Sequence, residues 1–312
     1  MERFRFLLFR PLQLIPVLFG ISLVSFVLVQ SIPGDPVKIL LGPRATPEVV
    51  AATKAKFGLD QPIHVQYARF LVNLTEGEFG RSLLYKVQVF EVVTARLPAT
   101  VFLVVYGVVF AVAVAFPLAI VAAWWRGGWP DHAIRVFSTF GLGLPVFWLG
   151  IMLMILLSVE LDLFPVSGYG ETFIERLHHL FLPALSIALA LSPILIRNLR
   201  AGLIAEQSAD YVTAARARGL GRRAILLRHI LPNAILPTVQ LLGVNVGWLI
   251  GGTVVIESVF AVPGLGQLMV SSIFARDYMV VQLVTLVFAV AIVATNLLVD
   301  VATVALDPRI DL

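Results

Sequence analysis

Six stretches of the chain run for 20 residues or more without an Asp, Glu, Lys or Arg: 11–34, 97–125, 136–159, 177–196, 229–256 and 278–299. An ionised side chain at the centre of a bilayer costs about 2.5–3.5 kcal/mol even on the mildest scale, so charges mark where spans end. About 20 apolar residues carry a helix across the hydrocarbon layer. Only a helix suits a single stretch, because without water its backbone groups must bond internally. The pattern predicts an all-α integral membrane protein with six transmembrane helices. The first window follows Arg3, Arg5 and Arg10 like a secretory leader. Its apolar run is too long for one, and no small-residue cleavage site precedes Gly34-Asp35-Pro36, so it reads as a retained anchor. A seventh apolar window, 258–275, is short and carries Pro263-Gly264-Leu265-Gly266 in its middle. Those residues break a helix, which predicts a re-entrant or interfacial segment lying against protein.

With six spans, residues 1–10, 126–135, 197–228 and 300–312 share one side and carry three, two, seven and one basic residues. On the other side eight basic residues lie in 35–96, a segment about as long as the positive-inside rule counts. The short loops there, 160–176 and 257–277, hold one arginine each. Both termini are therefore expected in the cytoplasm. Trp124 and Trp125 at the end of the second window suit an interfacial belt. The segment 35–96 is a small extracytoplasmic insertion. In it Thr46 reads as an N-cap, Pro47 as the first helical residue and Gly58 as the stop of a helix near 47–57. The remainder, including Gly77-Glu78-Phe79-Gly80, reads as turn and short irregular structure that caps the first two spans.

Composition removes the soluble alternatives. The chain has 312 residues, 59% hydrophobic and 13% charged, against about 25% charged in soluble domains; its mean hydropathy is +0.94. Cysteine is absent, which rules out disulfides and thiolate metal sites. The net charge of +4 sits in loops and suits membrane orientation, not nucleic acid. No phosphate-binding Gly-x-x-x-x-Gly-Lys, His-Glu-x-x-His or Gly-x-Ser-x-Gly occurs. His64, His132, His178, His179 and His229 show no metal-ligand spacing. The spans also lack a midplane chain of titratable residues, which weakens the competing reading of a self-sufficient secondary carrier. If anything moves uphill, energy enters through a partner.

The segment that would receive it is the loop after the fourth window. Ser208 is placed to cap a helix with Asp210 in its first turn. Tyr211, Val212, Ala214, Ala215 and Ala217 continue it with mostly small residues, and Gly219 ends it. A second, basic amphipathic helix is expected from about Arg222 to Ile230, with Pro232 and Pro237 bounding entry to the fifth span. Arg216, Arg218, Arg222 and Arg223 suit acidic partners or lipid headgroups. The plain alternative is a basic loop that only enforces orientation.

The residues carry a resemblance. Thr213-Ala214-Ala215, three residues, Gly219, nine residues, then His229-Ile230-Leu231-Pro232 resembles the loop of ABC importer permeases, Glu-Ala-Ala-x3-Gly-x9-Ile-x-Leu-Pro. Thr213 and His229 depart from it. Asp210 to Leu220, with Arg228, His229, Leu231, Asn233 and Ala234, is similar to the dipeptide/oligopeptide/nickel branch. So are Gly34-Asp35-Pro36, Gly58-Leu59-Asp60, Gly80-Arg81-Ser82, Glu257-Ser258-Val259-Phe260, Pro263 to Gly266, Arg276-Asp277-Tyr278, Asn296 to Asp300 and Leu306-Asp307-Pro308-Arg309. Met279 stands where that branch commonly has Pro.

The resemblance implies a type-I importer permease fold in a bacterial cytoplasmic (inner) membrane. Residues 1–34 would be the N-terminus and first span, and 35–96 the insertion. Residues 97–303 would form the five-helix transmembrane domain with the coupling loop 208–232, and 304–312 the tail. The implied partners are a second homologous permease, two cytoplasmic ATPase subunits and an extracytoplasmic binding protein, within membrane lipid. ATP and magnesium belong to the ATPases, so this chain, a transport subunit and not an enzyme, needs no cofactor. Asp210, Tyr211, Ala214, Ala215, Arg216, Gly219, Leu220, Arg228 and His229 form the implied docking loop. Ser138, Gln240, Asn245 and Glu257 are candidates for the translocation path, with helix–helix hydrogen bonding as the alternative. For Glu257 an ion pair, a cation or the binding protein stays open. Gly243, Gly247 and Gly251 suggest a closely packed face. Short peptides are the expected substrates; nickel and glutathione importers share these motifs.

Overall fold

A computed structural model of the chain describes residues 6–30, 37, 41–42, 45–82 and 84–306. Arg3, Arg5, Gly34-Asp35-Pro36 and Asp307-Pro308-Arg309 lie outside them. The first window is helix α1 (Phe6–Gln30). After it come α2 (Pro47–Phe57) and α3 (Ile63–Glu76). The second window is α4 (Val89–Trp124), and the third holds α5 (Trp129–Gly143) and α6 (Val146–Met154), which widens into π turns over Ile155–Glu160. A short α7 (Phe173–His179) leads into the fourth, α8 (Phe181–Glu206). The loop beyond holds α9 (Asp210–Ala217) and α10 (Arg222–Ile225). The fifth window is α11 (Leu231–Val259); α12 (Leu265–Phe274) and α13 (Tyr278–Leu306) complete the order. Among the described residues, α4, α8, the run 222–259 and α13 are each long and apolar enough to cross a membrane, and α5 with α6 makes another such span if taken together. With α1, 25 residues long, every window holds helix among the described residues.

Burial differs sharply between two of these spans. The most apolar segment of α4 averages 2.6 in hydropathy and is 22% buried, whereas that of α8 averages 1.6 and is 67% buried. Most of α4 is open, whereas α8 is enclosed by protein. Leu182, Ile187, Leu195, Ile196, Leu199 and Leu203 of α8 are fully enclosed. Against them α4 turns a stripe of small residues at four-residue spacing, Gly107, Ala111, Ala115 and Ala119, all buried. A Cβ at Gly107 would stand 2.7 Å from Ile187 Cγ2, so the approach demands glycine there. Small-residue stripes of this kind let membrane helices pack backbone to backbone.

Several sequence expectations change. The third window is bent by 103° between 129–143 and 146–160. Leu144 is extended because it precedes a proline, and Pro145 opens the next helix. The second span begins at Val89, eight residues before its window, since the exposed Glu91 and the half-buried Arg96 end a hydrophobic run but not a helix. In the insertion, Thr46 caps α2 through Val49 N–H and Gly58 closes it with φ +66°, as expected. The helix α3 was not expected. Its Tyr67 and Phe70 rings pack on Phe26 of α1, and the Tyr67 hydroxyl lies 2.9 Å from Ser22 Oγ; Ile63, Tyr67, Phe70 and Leu74 recur at helical spacing, a signal the sequence reading passed over. Window 258–275 breaks after Val259 and restarts as α12, with Leu265, Gly266, Leu268 and Ser272 buried against protein. Of the spaced glycines only Gly243 is tightly packed: its Cβ would fall 2.3 Å from Val299 of α13. Gly247 is in ordinary contact with Ile292, and Gly251 faces open space.

Candidate functional site

The loop 208–232 is a compact unit sunk into the end of the bundle. Val212 and Ala215 of α9 are buried with Ile225, Leu226 and Ile230, in the same core as Leu199 and Leu203 of α8 and Ala119, Ala122 and Ala123 of α4. Asp210, Tyr211, Ala214, Arg216, Gly219, Leu220 and Arg228 remain exposed, and His229 is half-buried. Ala215, the remaining residue of the expected docking set, is buried. It faces the core, and its size serves packing with the neighbouring helices.

The N-cap position of α9 is Ala209, and no side chain caps it; Ser208 does not perform the role its sequence position suggested. Tyr211 holds the helix in place instead. Its hydroxyl donates to the Glu206 carboxylate at the end of α8. Asn233 Nδ2 donates to the same hydroxyl at 3.0 Å and to the His229 carbonyl at 3.0 Å. Partial burial, followed by the Glu206 carboxylate, pushes the Tyr211 hydroxyl above its ordinary range, which keeps the proton that makes the bond. Glu206 had no sequence signal, since five-residue spacing across a helix break has no period.

Gly219 turns the chain with φ +77°. Its N–H bonds the Arg216 carbonyl at 2.9 Å, and Leu220 N–H bonds that of Ala215 at 3.3 Å. From Arg222 the helix then runs unbroken to Val259. Pro232 and Pro237 lie inside this run and do not bound it. Ahead of Pro232 the turns over Leu226–Ile230 widen, and Leu231 N–H reaches back five residues to the Leu226 carbonyl. The widening absorbs a proline that has no N–H and crowds the preceding turn. The second half of the loop is therefore a rigid extension of the fifth span.

The four path candidates separate. Gln240 is exposed on α11, and Asn245 is half-buried with its amide on the Leu241 carbonyl of its own helix. Ser138 is 1% exposed and bonded to the Ile134 carbonyl, so it borders no open surface of this chain. Glu257 is fully enclosed. Its Oε1 accepts from Thr100 Oγ1 at 2.6 Å, and its Oε2 accepts from Gly266 N–H at 2.7 Å and Gln267 N–H at 3.1 Å. Thr100 in turn accepts from Leu265 N–H at 2.7 Å. Glu257 is the cap of α12, tying it to α4 and α11. A second carboxylate pins the other end: Asp277 Oδ2 accepts from Ser82 Oγ and from Leu84 N–H, joining the insertion to the start of α13.

Sequence reasoning also passed over Asp131. In the first turn of α5 and 1% exposed, it receives Arg200 Nε and an Arg200 terminal nitrogen, each at 2.7 Å.

The chain is a bundle of apolar helices with a helical loop sunk into one end and jointed at a left-handed glycine. Residues 115–312 match the family described as "Binding-protein-dependent transport system inner membrane component", residues 3–104 match its N-terminal companion, and the chain belongs to this family. It is 36% identical over 305 residues to the glutathione transport system permease protein GsiC of Salmonella paratyphi A, covering 98% of each chain. With that of Escherichia coli K12 it shares 36% over 301 residues, 96% of this chain and 97% of the relative. Among solved structures, an inward-facing MetNI methionine ABC transporter superposes with a TM-score of 0.58 at 16% identity, over 70% of this chain and 97% of that one. An amino acid ABC transporter gives 0.54 at 16% identity, over 69% and 94%. The fold is that of a type-I importer permease. The protein is the multi-pass permease subunit of an ABC importer of the inner membrane, in a family that works with ATPase and binding-protein partners.

Proposed function

We propose that the chain pairs with a second, similar permease to form a path for short peptides, glutathione among them, and that residues 208–232 seat on cytoplasmic ATPase subunits that hold the ATP and magnesium. Both termini then face the cytoplasm. The observation that carries the docking role is the division of α9. Val212 and Ala215 are locked in the core, while Asp210, Ala214, Arg216 and Leu220 stand open on a stiff base. A knob fixed on one face and small on the other fits a groove in a neighbouring protein. Because α10 and α11 are one continuous helix, force applied to the knob turns the fifth span as a rigid body. That span carries an unpartnered stripe, Gln240, Val244, Trp248, Gly251, Val255 and Ser258, spaced by three and four residues and exposed. Such a stripe suits the second permease and the path between the two. Glutathione as a member of the substrate class rests on the near full-length relatives named for its transport.

Purified permeases, ATPases and binding protein reconstituted in vesicles are expected to take up radiolabelled glutathione or dipeptides when ATP is supplied. Uptake of nickel alone would refute the peptide reading. An Ala214→Cys variant is expected to react with a membrane-impermeant thiol reagent only in inside-out vesicles. Labelling from the outside of intact cells would reverse the orientation.

A further inference from the structure

α5 is attached to the bundle along a narrow seam. Asp131, Ile134 and Ser138, at positions i, i+3 and i+7, are its buried residues, and at its far end Gly141 lies so close to Pro193 of α8 that a Cβ would stand 2.7 Å from the ring. Most of its other residues face outward, Trp129 at 80% and Phe140 at 70% exposure among them. At the start of the seam the Asp131 carboxylate is held from three directions. Arg200 grips both oxygens at 2.7 Å, Gly127 N–H closes the preceding turn onto Oδ2 at 3.0 Å, and Arg135 lies 3.7 Å away on the solvent side. Two-pronged arginine–carboxylate pairs fix geometry as well as charge.

The placement of Arg200 gives this pair a further consequence. It lies on α8 within two turns of Glu206, the residue that takes the Tyr211 hydroxyl of the docking loop. Leu199 and Leu203 share one core with Val212 and Ala215 of that loop. At its other end α5 stops at Gly143, where the chain bends by 103° into α6. Loop, α8, ion pair, α5 and bend form a continuous mechanical series.

We propose that Asp131 and Arg200 are positioning residues that transmit displacement of the docking loop to the broken third span, so that ATP hydrolysis on the partners is converted into substrate movement. This rests on the reading that the loop seats on the ATPases. Its prediction concerns the ratio of uptake to hydrolysis, which an ion pair serving only to stabilise the fold would not alter.

The test uses the complete reconstituted assembly, with glutathione or a dipeptide as the transported probe. Asp131→Asn is expected to assemble and hydrolyse ATP while uptake per ATP falls about tenfold, within the range by which residues along a coupled network alter coupling. The charge exchange Asp131→Arg with Arg200→Asp is expected to recover part of the ratio. Should Asp131→Asn fail to accumulate in the membrane, Arg200→Lys is read in the same way; it keeps the charge and loses the planar fork. Wild-type uptake per ATP in the accumulating variant overturns the proposal, even where the amount of assembled complex is reduced. Failure of the ATPases to bind the wild-type permeases would overturn the docking reading instead, and is seen before any variant is made.

Discussion

Replacing Gly219 with valine is expected to abolish ATP-driven uptake while leaving the chain inserted in the membrane. The residue sits at φ +77°, and a Cβ there would meet nothing within 4 Å. The penalty is thus backbone strain alone, roughly 1–2 kcal/mol for an L residue in the left-handed region and more for a β-branched one. Strain of that size does not unfold six helices held by a buried core. It is enough to shift the turn joining α9 to α10, where a few backbone hydrogen bonds hold the chain, Gly219 N–H to Arg216 and Leu220 N–H to Ala215 among them. A small rotation there displaces the exposed face of α9 relative to the fifth span. Asparagine, which tolerates the left-handed region, is expected to preserve much of the uptake, with alanine intermediate. Uptake normalised to the permease found in membranes makes the comparison, and normal transport by Gly219→Val would rule the idea out.

The second large effect concerns stability. Glu257→Ala removes the acceptor of the Thr100 hydroxyl and the Gly266 N–H, both enclosed, and of the half-buried Gln267 N–H. Each orphaned buried donor costs about 1–3 kcal/mol, so the loss is expected to be roughly 3 kcal/mol or more. The site has no slack to rearrange. A Cβ at Gly264 would fall 2.3 Å from Glu257 Cδ, and one at Gly266 would fall 2.4 Å from Val254 Cα. Thermal unfolding of the purified assembly in detergent, followed by size-exclusion chromatography, should show a clear drop in midpoint for Glu257→Ala. Glu257→Gln should fall between, because its amide group sets a donor against a donor. An unchanged midpoint for the alanine variant would show that the carboxylate does not hold α12. If Glu257 acted instead on substrate, the variant would keep its midpoint and lose uptake.

The chemistry of lipid and charge makes much of this protein legible from its sequence. Six uncharged windows become helices because a charge in hydrocarbon is expensive and an unpaired backbone group more so; both costs are local, paid residue by residue. The turn at Gly219 and the break at Pro263 to Gly266 are equally local, since glycine and proline restrict the backbone wherever they stand. The loop pattern from Asp210 to Pro232 placed the chain in its family for the same reason. What each helix touches is a different matter. Hydropathy does not tell α8, buried in protein, from the run 222–259, which is about as apolar and largely open; only packing assigned them. Glu257 showed the same charge in the sequence whether it met a cation, a partner or the backbone of α12, and a contact 157 residues away at Thr100 decided it. Asp131 and Arg200, 69 residues apart, and Tyr67 against α1 belong with it. Sequence determines which residues must avoid or accept lipid. Tertiary structure alone decides which polar groups meet, because their separation along the chain carries no information about their distance in space.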